Sequence, residues 1–279
     1  MRQDSYDGSA TLFLISTPIG NLDDITYRSI RVLKEVDVIF SEDTRVTLNL
    51  LNSLNIKKKL ISLHEHNEES VKEKVLNYLK NNNSVALVTD RGTPIISDPG
   101  FKTVKYVIEN NYNVVALPGA TALIPALITS GISPQPFLFY GFLNSKENKK
   151  REELVKLSSR KETMIFYEAP HRIKNTLSLM YEIFGNRIIS VSRELTKKFE
   201  TIYRGDIKSI VDLIDEKGEF VIVVEGNKKT DEISDVPIKD AVEFYINSGL
   251  DTMSAIKKVA KERNLVKNDV YMEYHRESE

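Results

Sequence analysis

SVALVTDRGTPIISDPG, residues Ser84–Gly100, opens as a short, continuous apolar run and closes as a loop of glycines, prolines, aspartates and hydroxyl residues. A run of that length bounded by turn residues reads as a buried strand. The helical stretch TVKYVIENN (103–111) and a second apolar run, NVVALPG (113–119), follow it. Upstream the same alternation holds: strand TLFLIST (11–17), helix ITYRSIRVLKEV (25–36), strand VDVIF (36–40), a helix around 46–54, strand KLISL (59–63) and helix EESVKEKVLNYLKNN (68–82). Asp23 and Asp24 stand just before the first helix, where carboxylates satisfy free N–H groups. Repeated β-α alternation predicts a mostly parallel sheet covered by helices.

SGISPQPF (130–137) concentrates Gly, Ser and Pro and reads as a linker. Beyond it the strands FLFYGF, ETMIFYE and EFVIVVEG and helices at 146–157 and 172–184 suggest a second α/β domain. NRIISVSREL and FETIYRG are adjacent strands able to pair, and after KKTDEISDVP only helical patterning remains, in DAVEFYINSG and TMSAIKKVAKERN. The expected organisation is a poorly ordered 1–10, an α/β domain over 11–130, a linker at 131–136, a second α/β domain over 137–230 and a helical unit at 236–279.

Composition narrows the function. Hydrophobic residues at 41% and charged residues at 28% allow a sizeable core in 279 residues and argue against a disordered chain. A formal charge of -1 disfavours generic charge-driven nucleic-acid binding and leaves room for a local basic face. The absence of cysteine excludes disulfides, a thiolate nucleophile and thiolate-bound metal, and four histidines make a His-rich centre improbable. Without an apolar run near the ~18–20 residues of a membrane span, or an apolar signal core, a cytoplasmic protein is expected.

In an open α/β sheet, ligands bind beyond the carboxyl ends of the strands. Gly92 there permits close backbone approach and Pro94 and Pro99 stiffen the loop, although an ordinary turn with a helix cap at Asp98 fits the composition equally. Neither GxxxxGK[ST] nor GxGxxG is present. STPIGNLDDIT (16–26) and LPGATAL (117–123) also end strands, and three such loops favour a ligand cleft. Glu42 and Asp43, in SEDTR, are candidates for a general base at a strand end, against the commoner role of helix cap or salt-bridge partner. HEHNE places His64 and His66 on a loop, better suited to a polar substrate contact than to metal. Arg45, Lys197, Lys198 and the 257–267 helix carry local positive charge suited to phosphate, or simply to solvent. YEAPHR (167–172) ends a second-domain strand and faces the same cleft if the domains oppose.

Taken in order, TPIGNLDDIT, SEDTR, HEHNE, DRGTPIISDPG, PGATA, FYEAPHR and RELTKKFE resemble the ribosomal small-subunit methyltransferase I family of the tetrapyrrole-methylase superfamily, over roughly residues 11–226. The resemblance implies two α/β domains enclosing a cleft, with a small C-terminal helical unit. It also implies methyl transfer from S-adenosylmethionine, without metal, to the ribose 2′-hydroxyl of a cytidine in the decoding region of 16S rRNA, by a homodimer acting on the small ribosomal subunit. By resemblance, Pro18 and Gly20 of the first loop, Arg91, Gly92, Thr93 and Ile96 of the second, and Thr121 and Ala122 of the third contact the cofactor. Tyr167, Glu168, Leu195 and Thr196 complete its site from the second domain. Glu42 falls where related methylases have an acidic base, with His64 near its partner and Asp43 as a further candidate. RNA contacts are expected from Arg45, Arg172, Lys197, Lys198, Lys257, Lys258 and Lys261. Arg91 replaces the family's usual alanine, and PGATA its usual PGPSA. A small-molecule tetrapyrrole methyltransferase and a non-catalytic ribosome-binding relative remain the alternatives.

Overall fold

The structure is a computed structural model and describes residues 2–5, 7–228, 237–247, 250–263 and 265–276. Contacts divide the chain into a unit over 1–226 and another over 227–279.

Within the first unit, β1 (Thr11–Ile15), β2 (Val38–Ser41), β3 (Lys59–Ser62), β4 (Val85–Val88) and β5 (Asn113–Leu117) form a sheet of order β3-β2-β4-β1-β5. Every pairing in it is parallel, as the alternation predicted. Its crossovers carry α1 (Tyr27–Glu35), α2 (Thr44–Ser53), α3 (Glu68–Lys80) and α4 (Phe101–Glu109), and α5 (Leu123–Thr129) follows β5. Ile39 and Val88 enter the core on one face, Phe40 and Leu87 the core on the other. Burial on both faces explains why these strands read as unbroken apolar runs. Asp23 and Asp24 do not cap α1. They belong to a short 3-10 turn capped by Asn21, and Thr26 accepts the Ser29 N–H at the start of α1. Of the first ten residues, expected to lack order, Gln3 pairs through its side-chain amide with both backbone groups of Val114, and Asn113 binds Asp7 and Ser9.

A second sheet contains β6 (Phe137–Phe142), β7 (Thr163–Glu168), β8 (Ile188–Arg193), β9 (Thr201–Asp206) and β10 (Phe220–Val224), in the order β6-β7-β10-β8-β9. Only β6–β7 is parallel, and β8 and β9 pair antiparallel. With α6 (Glu147–Leu157), α7 (Ile173–Phe184) and α8 (Ile207–Ile210), the sheet encloses a core around Leu154, Phe166, Leu177 and Ile222. The two sheets share one compact unit rather than two separate bodies, because an apolar seam joins them. Ile19, Ala126, Leu127 and Ile132 are buried there with Ile165, Leu195, Val221 and Val223. Ile132 belongs to the stretch read as a linker and is buried in the seam, while Gly131 and residues 133–137 are exposed.

The second unit contains α9 (Ile238–Asn247), α10 (Thr252–Glu262) and α11 (Lys267–His275) around Val242, Ile256, Val259 and Val270. Residues 236, 248–249, 264 and 277–279 of the expected helical unit lie outside the described residues. No helix among the described residues is long and apolar enough to cross a membrane.

Phe166 is fully buried in the second sheet's core, so Phe166→Ala removes a large side chain that its neighbours cannot replace. The expected loss is about 3–5 kcal/mol of unfolding free energy, measured by urea titration.

Candidate functional site

Because β4, β1 and β5 are neighbours and parallel, the loops that follow them leave the sheet at one edge. These loops are stitched together. Thr17 and Gly92 exchange backbone hydrogen bonds of 2.9 and 3.0 Å. The Thr93 hydroxyl donates to the Ala120 carbonyl at 3.0 Å and lies 3.1 Å from Ser16 Oγ. At Gly119 an added Cβ would meet Ser16 Cβ at 2.7 Å, so the third loop approaches the first too closely for any side chain. The second sheet presents a matching edge. Phe220 is opposite Glu168 on one side and Arg193 on the other, which sets the end of β7, the end of β8 and the start of β10 at one level.

Between the edges lies a cleft of about 580 Å³. That is within the ~300–1,000 Å³ of small-molecule sites. Arg91, Gly92, Thr93, Ile96, Thr121 and Ala122 line it from the first sheet. Tyr167, Glu168 and Leu195 line it from the second, so most of the expected cofactor residues converge. Pro18, Gly20 and Thr196 are outside the lining. Gly20 is instead a contact point between the sheets, since an added Cβ would sit 2.4 Å from Lys197 Cγ and 3.0 Å from Thr196 Oγ1. Pro18 is buried beside it. Glu168 reaches the cleft, but its carboxylate is withdrawn: it accepts from Thr176 Oγ1 at 2.5 Å and pairs with Arg172 at 3.0 Å and Lys150 at 4.0 Å. Burial raises the Tyr167 phenol, with the Thr121 hydroxyl and the Leu123 N–H opposing the shift.

The cleft's chemistry comes from acids. Asp90 and Asp98 line it, and Glu42 stands behind them, accepting from Thr89 Oγ1 at 3.2 Å. Burial, together with the charges of Glu42 and Asp90, pushes the Asp98 carboxyl up to about 6. Burial and Asp90 raise Glu42 as well. Such a group of like charges in an apolar setting is stabilised by a cationic ligand. Asp98 was legible in sequence only as a helix cap. Its signal was its position eight residues after Asp90 in the same strand-end loop, a spacing that a bend can close.

Asp43 has other partners. It caps α2, binds Arg45 and is held down to about 2 by those hydrogen bonds, so it has little basicity at neutral pH. His64 follows β3, outside the cleft lining, with its ring 6.0 Å from that of His66. Two of the expected RNA contacts have partners inside the fold. Arg172 is turned inward, donating to the carbonyls of Leu143 and Asn144 besides its pair with Glu168. Lys197 is clamped between Glu194 at 2.7 Å and Glu219 at 2.8 Å. Arg45 and Lys198 are exposed, Arg45 paired to Asp43 and Lys198 5.6 Å from the Phe199 ring. Lys257, Lys258 and Lys261 are exposed on α10, with Lys258 over the Tyr245 ring.

Arg91 lines the cleft and is paired across to the second half of the unit. Its guanidinium meets Glu219 at 2.5 Å, and Glu219 in turn holds Lys197. Arg91 therefore begins an ion-pair chain that runs from the first sheet's loop through Glu219 and Lys197 to Glu194. Among the described residues no group of three or more His, Asp or Glu is arranged to hold a metal ion.

Two α/β sheets joined by an apolar seam beside one cleft have the tetrapyrrole-methylase fold, and the family described as Tetrapyrrole (Corrin/Porphyrin) Methylases matches residues 11–211. A crystal structure of uroporphyrin-III C-methyl transferase from Thermus thermophilus, complexed with S-adenyl homocysteine, superposes with a TM-score of 0.56 at 14% identity, covering 78% of this chain and 97% of that one. The ribosomal RNA small subunit methyltransferase I of Bacillus subtilis is 49% identical over 98% of both chains. That of Halalkalibacterium halodurans is 44% identical over 99% of both. The chain belongs to the ribosomal RNA small subunit methyltransferase I family.

Asp98 generates a pH test. A carboxyl whose value in the fold exceeds its unfolded value costs stability wherever it is charged. That cost is complete above about pH 6 and absent below 3.8, the ordinary value. Asp98→Asn is therefore expected to raise the ligand-free melting temperature at about pH 8, with the difference from wild type closing as pH falls toward about 4. Differential scanning calorimetry across that range checks it, and a constant difference would contradict the assignment.

Proposed function

We propose that this protein transfers a methyl group to the ribose 2′-hydroxyl of a cytidine in the decoding region of 16S rRNA, on the small ribosomal subunit. The observation that carries the reading is the acidic cleft between the two sheets, in a chain of this family. The methyl donor is S-adenosylmethionine, which supplies an electrophilic methyl on a positively charged sulfur. The residues suit such a ligand. Ile19, Leu195, Phe220 and Val221 give a buried apolar wall for a ring system, and Thr93 and Thr121 give hydroxyls beside it. Asp90 and Asp98 offer negative charge to a cation.

The chain's own work is alignment and proton removal. Holding the ribose oxygen in line with the methyl accounts for up to ~7–11 kcal/mol in well-oriented systems. A ribose hydroxyl is a weak nucleophile, and Glu42, made more basic by burial and by Asp90, is the proposed base. His64 is the proposed auxiliary. Pro18, Gly20 and Thr196 are assigned to holding the loops that close the cofactor's side of the cleft. The RNA is met by local cations, Arg45 and Lys198 on the first unit and Lys257, Lys258 and Lys261 on α10, since a net charge of -1 provides little long-range attraction. The protein is read as a cytoplasmic homodimer.

The test incubates the protein with methyl-labelled S-adenosylmethionine and small ribosomal subunits from a strain lacking its gene, then locates the label by nuclease digestion and mass spectrometry. Label on a single cytidine ribose in the decoding region is expected. No label, despite cofactor binding, would overturn the reading in favour of a small-molecule methyl acceptor. Glu42→Gln is expected to slow single-turnover methylation by about 10²–10⁴-fold at saturating subunit, and a near-wild-type rate would remove Glu42 as the base.

A further inference from the structure

The cleft's apolar lining falls into two parts. Ile19, Leu195, Phe220 and Val221 are buried, whereas Val46, Ile96 and Phe142 are exposed, Phe142 by 53%. A methyl transfer brings two ligands together, and a site with a buried wall and an exposed apolar lip has a place for each. An exposed phenylalanine in a cleft leaves its ring face to water unless a ligand covers it.

The backbone of β6 bends to put Phe142 there. Along a regular strand successive side chains alternate between faces, so Phe142 would join Leu138 and Tyr140. Those two pack against the second sheet's own core, away from the cleft. Instead the β6–β7 register shifts between Phe139 and Gly141, so that Gly141 pairs with Phe166 and Phe142 with Tyr167. The extra residue flips the alternation. Phe142 emerges on the face of Phe139, and the two rings flank Tyr167 with centroids 5.6 and 5.0 Å away. Gly141 adopts φ +81°, a conformation that other residues take only with strain, and an added Cβ there would meet Ser97 Oγ at 3.1 Å. Bulges of this kind recur beside active sites, where they re-aim a side chain.

We propose that Phe142 is a substrate-positioning residue: its exposed ring is the platform on which the base of the target nucleotide stacks while its ribose faces the acidic group. Rings are sequence-tolerant platforms for single-stranded bases, since every base has a π-face. Tyr167, held through Thr121 and Leu123, touches the platform ring with centroids 5.6 Å apart. The inference rests on the methyltransferase reading above and adds to it which part of the cleft belongs to RNA.

The test compares wild type, Phe142→Ala, Phe142→Leu and Phe142→Trp in methylation of small ribosomal subunits, and measures S-adenosylmethionine affinity by calorimetry. Loss of the ring in the Ala and Leu variants is expected to raise KM for the subunit by about 10- to 100-fold, and the Trp variant to retain binding near wild type. Cofactor affinity should stay within about twofold throughout, because the buried wall is untouched. A parallel loss of cofactor affinity would overturn the inference by assigning the ring to the cofactor's own pocket. Unchanged KM in both Ala and Leu, with wild type active, would overturn it alone. Wild type that binds the cofactor but labels no ribosomal RNA would overturn it together with the functional reading.

Discussion

The burial of Ile19 against Ile165, Leu195, Val221 and Val223 is the contact on which the rest of the first unit depends. Ile19 belongs to the loop after the first strand, Ile165, Val221 and Val223 belong to strands of the second sheet, and Leu195 to the loop that follows β8. Their shared burial is a hydrophobic attachment between two sheets that each already own a core. It seats the first loop and α5 on the face of the second sheet that carries Ile165, Val221 and Val223, and it leaves a gap beside itself lined by strand ends. The cleft is that gap. Gly20 brings the first loop against Lys197, and the chain Arg91–Glu219–Lys197–Glu194 spans the same approach with opposite charges. Arg91 and Glu219 are both more than half exposed, so their pair adds at most about 1 kcal/mol and fixes geometry more than stability.

Electrostatics gives the gap its preference. Glu42, Asp90 and Asp98 are gathered where water is partly excluded, and the fold carries the cost as a raised Asp98 carboxyl. Positive charge arriving in the cleft relieves that repulsion, so the folded chain holds a binding preference before any ligand enters. Glu168 shows the opposite treatment. It is fully buried yet satisfied by Thr176, Arg172, Lys150 and its neighbouring N–H, so it supports the floor instead of presenting charge. Removing one partner from such a set strands the remaining charge, which is why Arg172 and Lys150 act as structural cations.

Much of this was legible in the chain. The period of apolar residues identified the parallel sheet, because strands buried on both faces need unbroken apolar runs. Small and turn-forming residues after β1, β4 and β5 identified the loops, because ligand approach to backbone requires them. Ordered motifs carried the family, and the homologous chains match at nearly full length. What went unread were side-chain destinations. Arg172 and Lys197 look like available cations in sequence and are consumed in the fold. Asp98 looks like a cap and lines the cleft.

Sequence by itself determined which residues form strands and helices, since local periodicity and turn chemistry are properties of neighbouring residues. It also determined which strand ends carry bendable loops. Only the tertiary structure decided that β4 and β1 lie side by side, that Glu42 and Asp98 share one acidic group although 56 positions separate them, and that the register shift in β6 turns Phe142 toward the cleft. The reason is physical. Charge repulsion, desolvation and ring contact depend on distance through space, and distance between remote residues is set by packing, which no local pattern encodes.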